Sequence, residues 1–241
     1  MIASRGAHRA GEAVTAPARL WRGLYRAGAM AAALYVLLII IPIVLLNVAP
    51  VPPLIGGAAI LDYIAAHKLV YLIELVSFVG LSLPAIIVFL ALYVAISERN
   101  PSSAALGATI GIASEIIALA YNSSPPSLHP GLLSLSNQYI EATSAAQRTA
   151  LATAAEALMA ISNTVNAAGI LTALGILITA LAMLKGGFSK GAAYLGIATG
   201  AIGIVSETLR DMIGPGYYVY GLLLPAWFLA VGWNLYRLEK I

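Results

Sequence analysis

Apolar stretches of about twenty residues, each long enough as a helix to cross roughly 30 Å of hydrocarbon, recur six times in this chain, at 27–49, 69–96, 103–121, 155–184, 191–209 and 217–236. A chain built this way is expected to be an all-α integral membrane protein, a bundle of six transmembrane helices. The composition agrees: 61% of the residues are hydrophobic and only 10% are charged, whereas a soluble domain is about half apolar and a quarter charged. With 241 residues, the chain divides into a basic interfacial segment, 1–26, and a membrane domain, 27–241. No apolar run begins before about residue 27, so the start does not read as a cleavable signal.

Charge orients the bundle. The N-terminal segment, the turns at 97–103 and 185–190 and the C-terminal end hold ten of the Lys and Arg residues, against Lys68, Arg148 and Arg210 on the other side. The positive-inside rule then places both termini in the cytoplasm of a multi-pass cell-membrane protein. Trp21, Tyr25, Trp233 and Tyr236 mark the inner interface, and Tyr63, Tyr121, Tyr217 and Tyr218 the outer one. Arg19, Arg22 and Arg26 share a helical face suited to anionic headgroups. The basic pI therefore reflects a lipid-bilayer partner and not nucleic acid.

One motif occurs twice. Gly111-Ile-Ala-Ser-Glu115 lies in the third span and Gly203-Ile-Val-Ser-Glu207 in the fifth, each bringing a carboxylate onto a glycine-bearing face. Gly107, Gly111 and Glu115 align at helical spacing, as do Gly196, Gly200, Gly203 and Glu207. Small residues let helices approach closely. Two spans separate the copies, so a parallel repeat of helical hairpins, spans two-three and four-five, would explain the echo. A helix is expected to start near Asn137 and run without proline to Lys185, roughly 70 Å at helical rise. It must break, and 162–169 is the expected place. Span two should bend near Pro84.

Four successive spans each bring one glutamate toward the outer side: Glu74, Glu115, Glu156 and Glu207. Carboxylates clustered in low dielectric cannot all stay ionised; some hold protons, share them or bind cations. Asn163 and Asn166 on span four, His67 beside span two and Arg210 after span five complete the candidate ion, proton or ligand site. The alternative roles are structural. Glu74, Glu156 and Glu207 could pair with Lys68, Arg148 and Arg210, while the asparagines could bond neighbouring helices. Glu115 lies deepest, in a span without Lys or Arg.

The segments Leu24-Tyr-Arg-Ala-Gly28, Asp62-Tyr-Ile-Ala-Ala-His-Lys68, Arg148-Thr-Ala-Leu-Ala-Thr-Ala-Ala-Glu-Ala-Leu158 and the run from Met183 to Gly203 resemble a group of six-span bacterial and archaeal membrane proteins catalogued as domain of unknown function 4386. The resemblance implies a six-span bundle. It supplies no activity, cofactor or catalytic residue, and the Ser-Glu endings of the repeated motif are not a feature of that group.

Cysteine is absent, which excludes thiol catalysis, disulfides and thiolate metal sites. Three histidines are too few for a two-haem cytochrome. Nucleotide-binding, His-Glu-x-x-His and Gly-x-Ser-x-Gly motifs are missing. The leading expectation is ion- or proton-coupled transport or sensing of a small solute through an outward-facing, carboxylate-lined cavity. A non-catalytic subunit, bound to lipid, a membrane-protein partner or a second copy, is the alternative. The third is a metal-dependent intramembrane hydrolase using Glu, His67 and Asn ligands. No cofactor is identified.

Overall fold

The computed structural model describes residues 20–121, 127–162 and 166–240, and among these all regular structure is helical. Four helices, Arg22–Leu45, Lys68–Ser97, Pro101–Ala120 and Tyr217–Glu239, are long and apolar enough to cross a membrane. The elements are α1 (Arg22–Val48), α2 (Gly57–Ala66), α3 (Lys68–Gly80), α4 (Ser82–Ser97), α5 (Pro101–Tyr121), α6 (Pro130–Glu141), α7 (Ala145–Ser162), α8 (Ala167–Met183), α9 (Lys190–Thr208), the short α10 (Arg210–Ile213) and α11 (Tyr217–Glu239).

Six of these segments close into a ring. α1 packs on α4 and α11, α4 on α5, α5 on α8, α8 on α9, and α9 on α11. The sequence explains why α8 and α9 sit there although one is short and the other rich in Gly, Ser and Thr. Their partners are helices, against which small residues pack better than large ones. A Cβ on Gly175 of α8 would lie 2.9 Å from the Cα of Gly111 on α5. On the opposite side of α8, a Cβ on Gly200 of α9 would lie 2.7 Å from the carbonyl oxygen of Ala173. The two copies of the repeated motif therefore clasp α8 from two sides, and their glycines are used inside the bundle.

The ring's two halves differ. Phe89, Trp227 and Phe228, all fully buried, and Tyr35 fill the half nearest the chain's N- and C-terminal helix ends. Tyr35 and Phe228 stack at 3.7 Å, and Trp227 meets Phe228 edge-on at 5.3 Å. At that end Arg26 approaches Glu239 at 4.0 Å, and Ser189 donates its backbone N–H to Asn234 Oδ1 at 3.0 Å. Gly186 and Gly187, at φ 115° and 97°, turn the chain beside the Arg99 guanidinium. The turns and chain end that share the positive charge therefore meet at one end of the ring.

A cap covers the other end. α2, α6 and α7 pack together, burying Ile60, Leu61, Ile64, Leu132 and Met159. Ser136 Oγ donates to the Leu61 carbonyl at 2.7 Å, and Tyr71 OH donates to the His129 carbonyl at 2.9 Å while accepting from the His129 N–H at 3.0 Å.

Several boundaries differ from the sequence reading. The helix expected over 137–185 is three helices. It begins earlier, at Pro130, because His129 Nδ1 accepts from the Gly131 N–H at 2.9 Å and proline suits a first helical position. It breaks at 142–144, and again between Ser162 and Ala167, inside the expected interval. The fourth ring helix starts at Ala167, not at 155, because Ala155 and Met159 are committed to the cap core. Asn166 then caps the new helix, its Oδ1 accepting from the Gly169 N–H at 3.0 Å. The boundary drawn at residue 26 is no break, since α1 runs through it from Arg22. Span two parts at Leu81, one turn ahead of Pro84, which has no N–H for the Gly80 carbonyl; Leu81 instead bonds back to Phe78 at 3.2 Å.

Candidate functional site

Beneath the cap, the adjoining half of the ring is hollow. A cavity of about 440 Å³ lies between α1, α3, α5, α8, α9 and α11. Its floor is Tyr35, and apolar residues such as Ile39, Phe78 and Leu224 form most of the wall. Five predicted site residues line it: Glu74, Glu115, Asn166, Glu207 and Arg210. The three glutamates come from three helices and are 3%, 6% and 3% exposed, respectively.

Each carboxyl is positioned by its helix neighbours. Glu115, one turn beyond Gly111 on α5, meets Thr172 of α8, whose Oγ1 lies 3.2 Å from Oε1. The same hydroxyl is 3.1 Å from the Ala168 carbonyl and 2.9 Å from Ser114 Oγ, so its single proton is shared among acceptors. Glu207, one turn beyond Gly203 on α9, lies against Gly169 of α8, where a Cβ would come within 2.5 Å of its Cδ. Tyr217 OH donates to Glu207 Oε1 at 2.7 Å. The repeated motif thus delivers two carboxyls to opposite flanks of the α8 N-terminus, whose partial positive charge favours acids. Oε2 of Glu207 and Oε2 of Glu74 are buried with no hydrogen-bond partner among the described residues.

The ion pairs considered from sequence are not formed. Lys68 Nζ donates to Asn137 Oδ1 at 3.2 Å in place of Glu74. The Arg210 guanidinium sits 5.3 Å from the centre of the Tyr217 ring, so a phenol and not a cation contacts Glu207. Arg148 lies over Tyr139 at 5.9 Å. Among the described residues the one ion pair is Arg26 with Glu239, away from the cavity.

Two candidates lie elsewhere. Glu156 does not line the cavity; its Oε1 accepts from the Gly57 N–H at 3.1 Å, an acid capping the start of α2. His67 joins α2 to α3, with its ring 5.0 Å from Tyr63, and is also outside the cavity. Both share the site's depth in the sequence, but the cap carries them above it. Asn163 lies outside the described residues. Sequence reasoning missed Tyr217, Thr172, Ser82 and Tyr35. Thr172 and Ser82 could have been found as hydroxyls near the starts of apolar helices, and Tyr217 as the residue that Gly-Pro-Gly turns back toward Glu207.

Chemically, the cavity offers acids, hydroxyls and aromatic faces within a largely apolar wall. Among the described residues no group of three or more His, Asp and Glu converges as a metal-ligand set. No family model, curated protein or solved structure matches the chain. The site is therefore read from its own geometry.

Proposed function

We propose that this is a six-span membrane protein, with both termini cytoplasmic, whose outer-half cavity binds a small organic cation in exchange for protons held on its glutamates, as the recognition step of transport or sensing. The observation that carries this reading is the convergence of Glu74, Glu115 and Glu207 on one cavity, with no ion pair to any of them among the described residues. Arg210 is the one Lys or Arg among the lining residues, so three carboxylates there would carry more negative charge than it offsets, and protons or a cationic ligand must balance the rest. The exchange balances: a carboxylic acid releases H⁺ to solvent, and the carboxylate left behind pairs with the incoming cation. The volume falls in the range of small-molecule sites, and aromatic rings beside the acids suit an alkylammonium group.

The test uses purified protein in lipid nanodiscs, weakly buffered with a pH indicator, and octyltrimethylammonium as the probe. Saturable binding should release protons in fixed proportion to probe bound. Glu115→Gln, which keeps shape while removing titration, should weaken binding about tenfold or more and abolish the release. Binding that is unchanged in Glu115→Gln and without proton release would overturn the reading. The subunit alternative has less support, because the glycine faces that could have received another helix are occupied within the ring. The metal-hydrolase alternative lacks a ligand set among the described residues.

A further inference from the structure

The geometry points to a side entrance: we infer that the cavity's ligand is an amphiphile, with a cationic head and an apolar body, that enters from the outer leaflet between α1 and α11. This inference rests on the cation-binding reading for the head and on separate geometry for the route. The seam between these two helices is filled differently along its length. Near the inner end, a Cβ on Gly232 would lie 2.8 Å from the Cβ of Ala32, so the helices nearly touch. Midway, the stacked rings of Tyr35 and Phe228 fill the seam at 3.7 Å. Beyond them Ile43 of α1 and Leu222 of α11 both border the cavity.

Those two residues also face outward. Ile43 is 47% exposed, Leu222 69% and the neighbouring Tyr218 71%. Each therefore touches both the cavity and the exterior, which marks a rim. The rim is apolar and carries a tyrosine at the level where aromatic residues favour the bilayer interface. The roof is built differently. Ser127 and Leu128, both buried, line the cavity from the cap side, and Leu128 belongs to the cap core. The loop bearing Val51 and Pro52 lies across the same end, where the Tyr63 phenol donates to the Pro50 carbonyl at 2.7 Å. Val51 and Leu54 of that loop, 58% and 60% exposed, also border the cavity, so the opening is framed by apolar side chains of α1, the loop and α11, a frame suited to membrane-dissolved molecules.

A ligand coming through that gap must be at home in lipid, yet it arrives at three buried acids. The Oε2 atoms of Glu74 and Glu207, which have no hydrogen-bond partner among the described residues, are polar groups its head can meet. A single positive head on a short apolar body meets both requirements, whereas a compact hydrophilic cation meets only one.

The experiment exploits the absence of native cysteine. Ala118→Cys, on the cavity wall contributed by α5, is reconstituted in vesicles, and its labelling rate is measured with two reagents. N-pyrenylmaleimide partitions into lipid; trimethylammonioethyl methanethiosulfonate is a cation confined to water. Relative to exposed Ser144→Cys, the first should label Ala118→Cys readily and the second at least tenfold more slowly. Ile43→Trp with Leu222→Trp should slow the lipid-soluble reagent about tenfold and leave Ser144→Cys unchanged. If that pair fails to fold, Leu222→Trp alone carries the same expectation at a smaller amplitude. Octyltrimethylammonium should protect Ala118→Cys, and tetramethylammonium at equal concentration should not.

Labelling by the water-soluble cation at the Ser144→Cys rate, or no effect of a folded Trp variant, would overturn the side entrance. Equal protection by the two ammonium ions would overturn the amphiphile. Because the unprotected rates need no ligand, the entrance can stand even where Glu115→Gln leaves cation binding unaltered, which separates its failure from that of the cation reading.

Discussion

At the residue scale, the two copies of the glycine-glutamate motif end in carboxyls with different surroundings. Glu115 meets a threonine hydroxyl, whereas Glu207 receives a phenol at 2.7 Å and keeps one oxygen unpartnered among the described residues. Tyr217→Phe removes the donor and leaves a buried carboxyl without its hydrogen bond, which costs about 1–3 kcal/mol. The expected result is a lower unfolding temperature in nanodiscs, with Tyr218→Phe, on the exposed neighbour, close to the parent. His129 supplies a pH effect outside the spans. Burial pushes its imidazole below the ordinary value, and its Nδ1 must be unprotonated to accept from Gly131. A depressed folded-state value means the cap's contribution is complete above the unfolded value of about 6.5 and is lost as pH falls toward the folded one. Amide exchange in the first turn of α6, corrected for intrinsic rates, should therefore speed up between about pH 7 and pH 5. His129→Asn, which keeps a capping oxygen, should remove that dependence.

At the element scale, α8 is held by what its neighbours lack. Side chains on Gly107 or Gly200 would strike α8, at Thr179 and at the Ala173 carbonyl, so α5 and α9 can flank α8 at this distance only with glycine there. Gly200→Ala should lower stability by about 1–3 kcal/mol through overpacking. Gly191→Ala, where an added Cβ meets nothing within 4 Å, should be neutral or stabilising by up to about 1 kcal/mol from helix propensity. Thermal unfolding of the two variants side by side checks the contrast. The same element shows how a long helix-forming run was misjudged. Periodicity across 137–185 carries no sign of the stop after Glu141, because Ala142 is a helix-forming residue whose extended conformation is set by the cap's packing. The stop before Ala167 was legible, since asparagine at 166 is a capping residue ahead of an apolar run.

At the scale of the whole molecule, the ring has a filled half and a hollow half, and the cap sits over the hollow one. The proposed orientation puts the filled half toward the cytoplasm. In intact cells or right-side-out vesicles, Ser102→Cys and Lys190→Cys should be protected from an impermeant maleimide, and Ser144→Cys and Met212→Cys should react. All four positions are exposed, and the chain has no cysteine of its own, so labelling reads sidedness alone. Reaction of Ser102→Cys and Ser144→Cys from one side would end the six-span topology.

Much of this was set by the linear chain. Apolar runs too long for anything but membrane-crossing helices fix the class, because hydrocarbon leaves the backbone no partner but itself. Glycines at helical spacing ahead of Glu115 and Glu207 placed those acids on packing faces, since the 3.6-residue period makes neighbours of residues four apart. The sequence could not say which glutamates share a cavity. Glu156 has the same residue type and apparent depth as Glu74, yet the break before Ala167 lifts it into the cap, where it meets the Gly57 amide. Nor could it foresee that Tyr217 would reach Glu207 ahead of Arg210, or that Ile43 and Leu222 would border one cavity. Those outcomes depend on which side chains fill the seams between helices, and only the closed ring brings those seams into being.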